Sequence, residues 1–252
     1  MLKHRIAEDL LVYRFPPMEG KHYGFSLYAL LDPDSPDVLL IDTAYEEQSQ
    51  QVLKDLEDQG KHVTQVVLSH YHPDHILGLD ALGEVYVYGS PRCQETLGLY
   101  SKEDNAQRFA PSVEVDEEEA WTFGKRSLRF MLAPGHSPCS MYTLIDEAYV
   151  HVADNVMTSN EGQDILPWAS WELIDAHIES LEALRELSSR TFLLSHGGEI
   201  QSATRAENAI DNRITYFQNI LAREGKLTFE EAVEGCTCDF LHKEWLIQKD
   251  GG

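Results

Sequence analysis

The chain has 252 residues, of which 43 are acidic and 20 basic, so its formal net charge is −23. That charge repels polyanions such as nucleic acids and acidic membrane surfaces, and it favours small, neutral or cationic partners. The hydrophobic share of 42% is that of an ordinary globular protein; because no run reaches the roughly 18 apolar residues of a membrane span and residues 1–12 lack the pattern of a secretion signal, we expect a cytoplasmic protein.

The first half of the chain alternates strand and helix patterns. Short apolar or β-branched runs predict strands at residues 38–41, 63–68 and 85–88. Between the first two strands, the spacing of Val52, Leu53 and Leu56 predicts a helix that Gly60 ends.

The second half continues this alternation. Strand patterns occur at residues 128–132, 141–145, 148–153 and 191–194. Apolar residues from Ile174 to Leu184 recur at helical spacing. Two capping boxes, Thr204 with Glu207 and Thr228 with Glu231, predict two further helices. We therefore expect an α/β layered fold in a single domain over residues 1–252, with C-terminal helices from about residue 204 packed on it.

The most informative segment is His70-Tyr71-His72-Pro73-Asp74-His75, which follows a predicted strand directly. Imidazole nitrogens and carboxylate oxygens are ligands for zinc, iron or manganese. Alternate residues of a short loop can face one cation while the next pair faces another. This spacing therefore predicts a metal site.

Three further candidate ligands, His136, Asp154 and His196, each follow an apolar strand-like run. In open α/β sheets, sites assemble beyond the carboxyl ends of strands, where residues distant in sequence converge. Each residue alone would more often be structural. Together with the first segment, they suffice for two coordination shells.

On these residues the sequence resembles the metallo-β-lactamase superfamily, in particular its glyoxalase II-like and lactonase-like hydrolases. The hallmark H-x-H-x-D-H, followed by separate His, Asp and His ligands, matches within residues 38–198. The resemblance implies a four-layer αββα sandwich with two divalent metal ions, zinc foremost. It also implies one metal on His70, His72 and His136, a second on Asp74, His75 and His196, and Asp154 as the bridge.

The resemblance also implies a supporting role for Asp42. The chain departs from the family where Ala44 replaces a frequent glycine and where Leu77-Gly78-Leu79 replaces a Gly-Gly pair. Cys139 also replaces a frequent glycine, and we interpret it as a buried thiol rather than a pocket residue. Without a second ligand pair nearby, Cys236 and Cys238 are interpreted as ordinary thiols.

This site predicts a hydrolase in which two metal ions generate a hydroxide that attacks a carbonyl, while Asp74 moves a proton to the leaving group. The loop 155–170 is expected to overhang the site with Met157, Ile165, Leu166, Pro167 and Trp168, although Trp168 and Trp171 could equally anchor the next helix. A small neutral ester, thioester, lactone or amide fits best, because residues 131–183 contain no Lys or Arg. Glutathione thioesters would need basic contacts from elsewhere, for example Arg92, Lys102 or Arg213.

Three alternatives stay open from the sequence. An iron-dependent oxidoreductase of the same fold, similar to persulfide dioxygenases, would use the same ligands. A small-molecule phosphodiesterase could use two metals as well, whereas an idle binding protein would have little reason to retain seven ligands. Neither nucleic acid nor membrane is expected as a partner, and a homodimer is left open. The remaining histidines, at positions 4, 22, 62, 151, 177 and 242, are interpreted as surface or strand residues.

Overall fold

Two β-sheets form the centre of the molecule. The computed structural model describes residues 1–100 and 107–249. The strands are β1 (Leu2–Ala7), β2 (Leu10–Arg14), β3 (Ser26–Leu31), β4 (Asp37–Ile41), β5 (His62–Val67), β6 (Tyr86–Gly89), β7 (Val113–Glu114), β8 (Trp121–Phe123), β9 (Arg126–Leu132), β10 (Met141–Ile145), β11 (Tyr149–His151) and β12 (Thr191–Leu193). β1 to β7 form one sheet in sequence order, and the second sheet has the order β12-β11-β10-β9-β8.

Helices cover the outer faces of both sheets. The α-helices are α1 (Glu46–Glu57), α2 (Pro73–Ile76), α3 (Cys93–Tyr100), α4 (Ile174–Arg185), α5 (Ala203–Ala222) and α6 (Phe229–Ala232), and short 3₁₀ turns span Leu77–Ala81, Trp171–Leu173 and Lys243–Trp245. None of the helices in the described ranges is both long enough and apolar enough to cross a membrane.

Strand direction brings several carboxyl ends to one edge. β4, β5 and β6 pair in parallel, so β4 and β5 both end toward the segments that follow residues 41 and 67. In the second sheet, β9 and β11 are each antiparallel to β10, and β11 is parallel to β12. β9, β11 and β12 therefore run the same way and end at a common edge.

Three apolar clusters define the layers. One lies between the sheets and joins Leu39 and Ile41 of β4 to Phe130 of β9 and Met141 of β10. A second packs α1 on the first sheet, and a third packs α4 and α5 on the second. The order helix, sheet, sheet, helix confirms the four-layer αββα sandwich that the resemblance implies.

The element predictions are largely confirmed, with corrections at helix ends. The Thr228 capping box is present and begins the short helix α6. Thr204 is not the cap of α5: Ser202 accepts from the backbone N–H of Arg205, so the helix starts at Ala203. The Ser202 side chain also carries a hydroxyl group and lies two residues before Thr204. Capping by Ser202 therefore makes α5 longer than the Thr204 box predicts. The N-terminal strands β1 to β3 were not among the predictions.

Candidate metal centre

The seven predicted ligands converge at the edge where the strands end. Pro73 begins α2, so the His70–His75 segment turns from the end of β5 into one helical turn. His136, Asp154 and His196 follow β9, β11 and β12. The structure thus brings together all seven side chains that the sequence analysis singled out, in three groups of mutually close ligand atoms.

The first triad consists of His70, His72 and His136. His72 Nδ1 lies 3.0 Å from His70 Nε2 and 3.0 Å from His136 Nε2. A tetrahedral zinc ion with Zn–N bonds of about 2.0–2.1 Å places its ligand atoms roughly 3.3 Å apart. The three nitrogens therefore have the spacing of a facial set around one cation.

The second triad consists of Asp74, His75 and His196. His75 Nε2 lies 3.8 Å from Asp74 Oδ1, and His196 Nε2 lies 3.6 Å from Asp74 Oδ2. Asp74 is the most exposed member, since its side chain keeps 24% of its surface accessible. It therefore combines a ligand position with access to the cavity above.

Asp154 lies between the triads. Its Oδ2 is 3.5 Å from the Nε2 atoms of both His136 and His75, 3.2 Å from His196 Nε2 and 4.0 Å from His70 Nε2. One carboxylate oxygen thus faces ligand nitrogens of both triads, which is the position of a bridging ligand.

Backbone carbonyls orient two of the imidazoles. His136 Nδ1 donates to the carbonyl of Trp168 at 3.2 Å, and His196 Nδ1 donates to the carbonyl of Gly24 at 2.9 Å. A carbonyl can only accept, so the proton of each ring lies on Nδ1 and leaves Nε2 as an acceptor lone pair. Fixing the far nitrogen in this way is how metal-binding histidines are held in one tautomer.

Asp42 orients two more of the five imidazoles, His75 directly and His70 through Ser69. His75 Nδ1 donates to Asp42 Oδ2 at 2.8 Å, and Ser69 donates to the same oxygen from its hydroxyl at 2.7 Å. Because the Ser69 proton is used there, His70 Nδ1 donates to Ser69 Oγ at 3.1 Å. The Ser69 backbone N–H bonds Asp42 Oδ1, and Ser195 Oγ approaches Oδ2 at 3.3 Å. The supporting role expected of Asp42 is matched by these contacts.

Burial and charge divide the imidazoles into two groups. Burial lowers the pKa values of His70 and His136 well below the ordinary value and that of His72 to about 4. Burial also disfavours the charged form of His75, but the carboxylates of Asp154 and Asp42 raise its pKa well above the ordinary value. The imidazoles of the first triad are thus neutral and have lone pairs available for a metal. In the second triad, nearby carboxylates favour the protonated form of His75.

Asp154 itself stays ionised. Burial favours its neutral form, yet His196 and His75 hold its pKa well below the usual range. Within the described residues, Asp154 Oδ1 and His75 Nε2 make no hydrogen bond although both are buried. Unpaired buried polar atoms are costly, and a cation at the triads would satisfy both. The donor set therefore fits bound metal.

The backbone around the centre is strained and tightly packed. Asp42, Ala44 and Ala153 adopt positive φ angles of 60°, 52° and 49°, a conformation that costs about 1–2 kcal/mol in a residue with a Cβ atom. Such strain concentrates at functional sites. Gly135, next to His136, has no space for a side chain, because a Cβ atom there would lie 2.5 Å from His177 Cγ.

A cavity of about 280 Å³ opens above the triads. The described residues that line it are Tyr23, His72, Asp74, His136, Asp154, Met157, Trp168, His196 and Trp245. Met157 and Trp168 were expected from the loop 155–170. Tyr23 and Trp245 were missed, since no spacing in the sequence links residues so far apart.

Other predicted pocket residues lie elsewhere. Ile165 and Leu166 are fully buried, and Pro167 is buried as well. Trp171 packs against the core of α4 and α5. Each of the two interpretations therefore applies to one tryptophan. Trp168 lines the cavity, and Trp171 anchors the helix.

The cysteines are ordinary thiols in the described structure. Cys139 is fully buried, with Thr96 Oγ1 at 3.0 Å from its sulfur, and burial raises its pKa. Burial also raises the pKa of Cys236 to about 11 and that of Cys238 to about 12. Among the described residues, the metal-capable groups contain no cysteine.

The interpretation of the remaining histidines was wrong for His177 and His242. His177 is fully buried in α4 beneath Gly135, and His242 is buried in a left-handed turn. His151 is a strand residue, as expected, but it lies behind the site, with Nε2 3.3 Å from Ser195 Oγ and 3.9 Å from Asp42 Oδ2.

Of the basic residues considered for anionic substrates, Arg213 and Arg92 are not among the described residues that line the cavity. Arg213 is buried and bonds Asp164 Oδ1 at 2.8 Å and the Met157 carbonyl at 2.5 Å, so it fixes the loop that carries Met157. Arg92 pairs with Glu95 at 2.8 Å. Lys102 lies outside the described residues.

A family model described as the metallo-beta-lactamase superfamily matches residues 24–196. A hydroxyacylglutathione hydrolase from Psychromonas ingrahamii is 32% identical over 113 residues, which are 44% of this chain and 39% of that protein. An atrochrysone carboxyl ACP thioesterase from Pseudocercospora fijiensis is 23% identical over 66% of this chain and 46% of its own length. The chain thus spans less than half the length of these curated relatives.

Solved structures share the fold. A metallo-beta-lactamase family protein from Thermus thermophilus superposes with a TM-score of 0.66 at 17% identity, over 89% of this chain and 84% of that one. At this identity the likeness concerns the architecture alone.

Proposed function

Since the chain belongs to the metallo-beta-lactamase superfamily, we propose that it is a hydrolase with a dinuclear metal centre that cleaves a small neutral ester, thioester, lactone or amide. The observation that carries the proposal is the position of Asp154 Oδ2, within 3.5 Å of ligand nitrogens from both triads. A mononuclear site would need only one triad. The named activities of the two curated relatives favour an acyl compound, with the thioester first among these bonds.

The proposed ligand assignment follows the triads. His70, His72 and His136 would hold one ion, Asp74, His75 and His196 the other, and Asp154 would contact both. When bound, two divalent cations, zinc foremost, supply an activated water and polarise a carbonyl oxygen.

The chain's own groups complete the reaction. Asp74 is the acidic group placed to transfer a proton, because its carboxylate lines the cavity and keeps part of its surface accessible. His136 and His196 are fixed through Nδ1 and cannot rotate without losing a hydrogen bond. Met157 and Trp168 cover the centre from the loop and limit access of bulk water.

Charge favours a neutral substrate. The described residues that line the cavity include the two carboxylates Asp74 and Asp154 and neither lysine nor arginine. Lys21 lies outside this lining, with Nζ 5.4 Å from the centroid of the Trp245 ring. A phosphate or carboxylate in the substrate would therefore meet acidic groups without the bidentate cation that usually binds it.

The proposal is tested by metal analysis and a substrate panel on the natively purified protein. We expect about two equivalents of transition metal per chain and turnover of neutral thioesters or esters above that of glutathione and nucleotide conjugates. Iron with oxygen consumption would replace the hydrolase with an oxidoreductase. Preference for cyclic phosphodiesters would replace it with a phosphodiesterase, and absence of metal after careful purification and reloading would reject the centre.

A further inference from the structure

We propose that Tyr23, Trp168 and Trp245 form an aromatic wall that selects substrates with a planar ring beside the bond that is cleaved. The identity of that bond rests on the proposed hydrolase function, whereas recognition of the ring does not. The three side chains line the same cavity as the triads. In this proposal they contact the acyl group of the substrate, so specificity depends on the acyl group rather than on the leaving group.

Trp168 stands over the first triad. Its ring centroid lies 6.2 Å from that of His72 and 5.7 Å from that of His136, at interplanar angles of 68° and 65°. The Trp168 side chain is 40% exposed, and few large apolar side chains in the described structure are so accessible. Its backbone carbonyl accepts from His136 Nδ1, so the backbone that carries the indole is held next to a candidate metal ligand. An exposed indole beside the centre is a binding surface.

Tyr23 stands over the second triad, and Trp245 packs against Tyr23. The Tyr23 ring lies 4.8 Å from the His196 ring at 68°, and the Trp245 ring lies 6.0 Å from Tyr23 at 71°. Because Trp168 contacts the first triad and Tyr23 contacts the second, the reacting bond lies between aromatic groups that come from different parts of the chain. Met157 adds the remaining apolar side chain of the lining.

The C-terminal part of the wall is held by backbone hydrogen bonds and ring stacking. Leu166 N donates to the Leu241 carbonyl at 3.0 Å, and Leu241 N donates to the Asp164 carbonyl at 2.9 Å. The next residue, His242, stacks on Trp245 at 4.5 Å and 19°. A wall that is ordered before binding loses little conformational entropy when a ligand arrives.

Size and geometry favour one planar ring. The cavity of about 280 Å³ is at the lower end of the roughly 300–1,000 Å³ of small-molecule sites, so it admits one ring and the reacting group. A larger groove of about 840 Å³ shares Trp168 and Trp245 as walls and leaves room for a long leaving group. Aromatic pairs gain energy beyond area burial when stacked or edge-on, so a phenyl ring should bind better than a saturated ring of the same size.

The test compares the neutral amides phenylacetamide, cyclohexylacetamide and acetamide by calorimetric binding to the protein with the metal that it carries after purification. We expect phenylacetamide to bind at least about ten-fold more tightly than acetamide and about three- to ten-fold more tightly than cyclohexylacetamide. Trp168→Leu and Trp245→Leu should reduce the phenyl-over-cyclohexyl preference below about two-fold, while Trp168→Phe should retain it. Trp121→Leu is the matched control, because Trp121 stacks on Tyr88 away from the centre.

The same three acyl groups as N-acetylcysteamine thioesters supply the activity readout, since this leaving group is neutral and has no ring. Equal binding of phenylacetamide and cyclohexylacetamide, or an unchanged preference in both leucine variants, would overturn the wall. If the wild-type protein cleaves none of the thioesters but binds phenylacetamide preferentially, the hydrolase proposal fails and the wall stands.

Discussion

The floor and the wall of the cavity are built in opposite ways. The metal floor, formed by the seven residues of the two triads and Asp154, lies at strand ends and is fixed by buried hydrogen bonds. His75 reaches Asp42, and His136 and His196 each reach a backbone carbonyl. The aromatic wall instead comes from a loop and from both terminal regions, and its tryptophan at position 168 is 40% exposed.

This difference indicates separate roles for the metal floor, in the reaction, and for the aromatic wall, in the choice of substrate. A floor in which four of the five imidazoles are held through Nδ1 can change little without losing ligand geometry, so it determines which bond chemistry is possible. A wall whose side chains contact the floor only through ring packing can change with limited loss of stability. We infer that the floor carries the superfamily's chemistry and that the wall determines which substrate this chain accepts.

The largest effects should come from the floor. Asp74→Asn removes the proposed proton-transfer group, which is also a proposed charged ligand, and His72→Ala removes one nitrogen of the first triad. We expect each to lower turnover by about 10²–10⁴-fold, the range of general acid–base catalysis. Steady-state kinetics on the preferred acyl substrate, with metal content measured in parallel, checks this.

Circular dichroism should show that both variants remain folded. His62→Ala is the matched control, because His62 is an exposed histidine in the strand that leads to the motif. Turnover that stays within about three-fold of wild type in both Asp74→Asn and His72→Ala, far below the range expected for general acid–base groups, would show that the floor is not catalytic.

The residues that converge in the floor could be predicted from the sequence because their information is local. Six consecutive residues supply four ligands, and each remaining ligand follows its own apolar strand, so strand direction brings them together. The wall gave no such signal. Tyr23 and Trp245 come from opposite ends of the chain, and their proximity depends on how the segment after Phe240 pairs with residues 164–166, which is a tertiary property.

Burial was also hard to predict at single residues. His177 is interpreted from the sequence as a surface or strand residue, yet it lies in a helix and fills the space beneath Gly135. Burial lowers the pKa of His177 to about 3, so the ring is neutral in this position. Arg213 could have been a substrate contact, but Asp164 and backbone carbonyls bind it inside the fold. Such pairings across sequence distance are not visible in composition or periodicity.

A smaller effect is expected one step behind the ligands. Asp42→Asn keeps the shape of the side chain but removes the charge that His75 and Ser69 share. Loss of such a supporting carboxylate lowers metal affinity by about 10–100-fold. Competition with a chromophoric chelator measures this affinity. Unchanged affinity would mean that the floor is more tolerant than its hydrogen bonds indicate, which would weaken the contrast with the wall.

The next largest effect is expected from a change in the packing beneath the metal floor. Gly135→Ala would place a Cβ atom 2.5 Å from His177 Cγ, and overpacking of this kind costs about 1–3 kcal/mol. Denaturant unfolding should show that loss of stability. Gly83→Ala is the control, because nothing lies within 4 Å of a Cβ atom there, and it should change the unfolding free energy by less than about 0.5 kcal/mol. Equal stability of the two variants would show that the floor has room to adjust.

The smallest effect should come from Tyr23→Phe. Burial, together with the nearby carboxylates of Asp154 and Asp74, raises the pKa of Tyr23 above its ordinary value, so the phenol stays neutral and does not serve as a base. The variant keeps the ring that packs on His196. We therefore expect kcat/KM for the phenylacetyl thioester to change by less than about three-fold, whereas Tyr23→Leu should lose the preference for a planar ring. A fall of about 10²-fold in the phenylalanine variant would be the size of a general acid's contribution, and it would move Tyr23 from the wall to the catalytic residues of the floor.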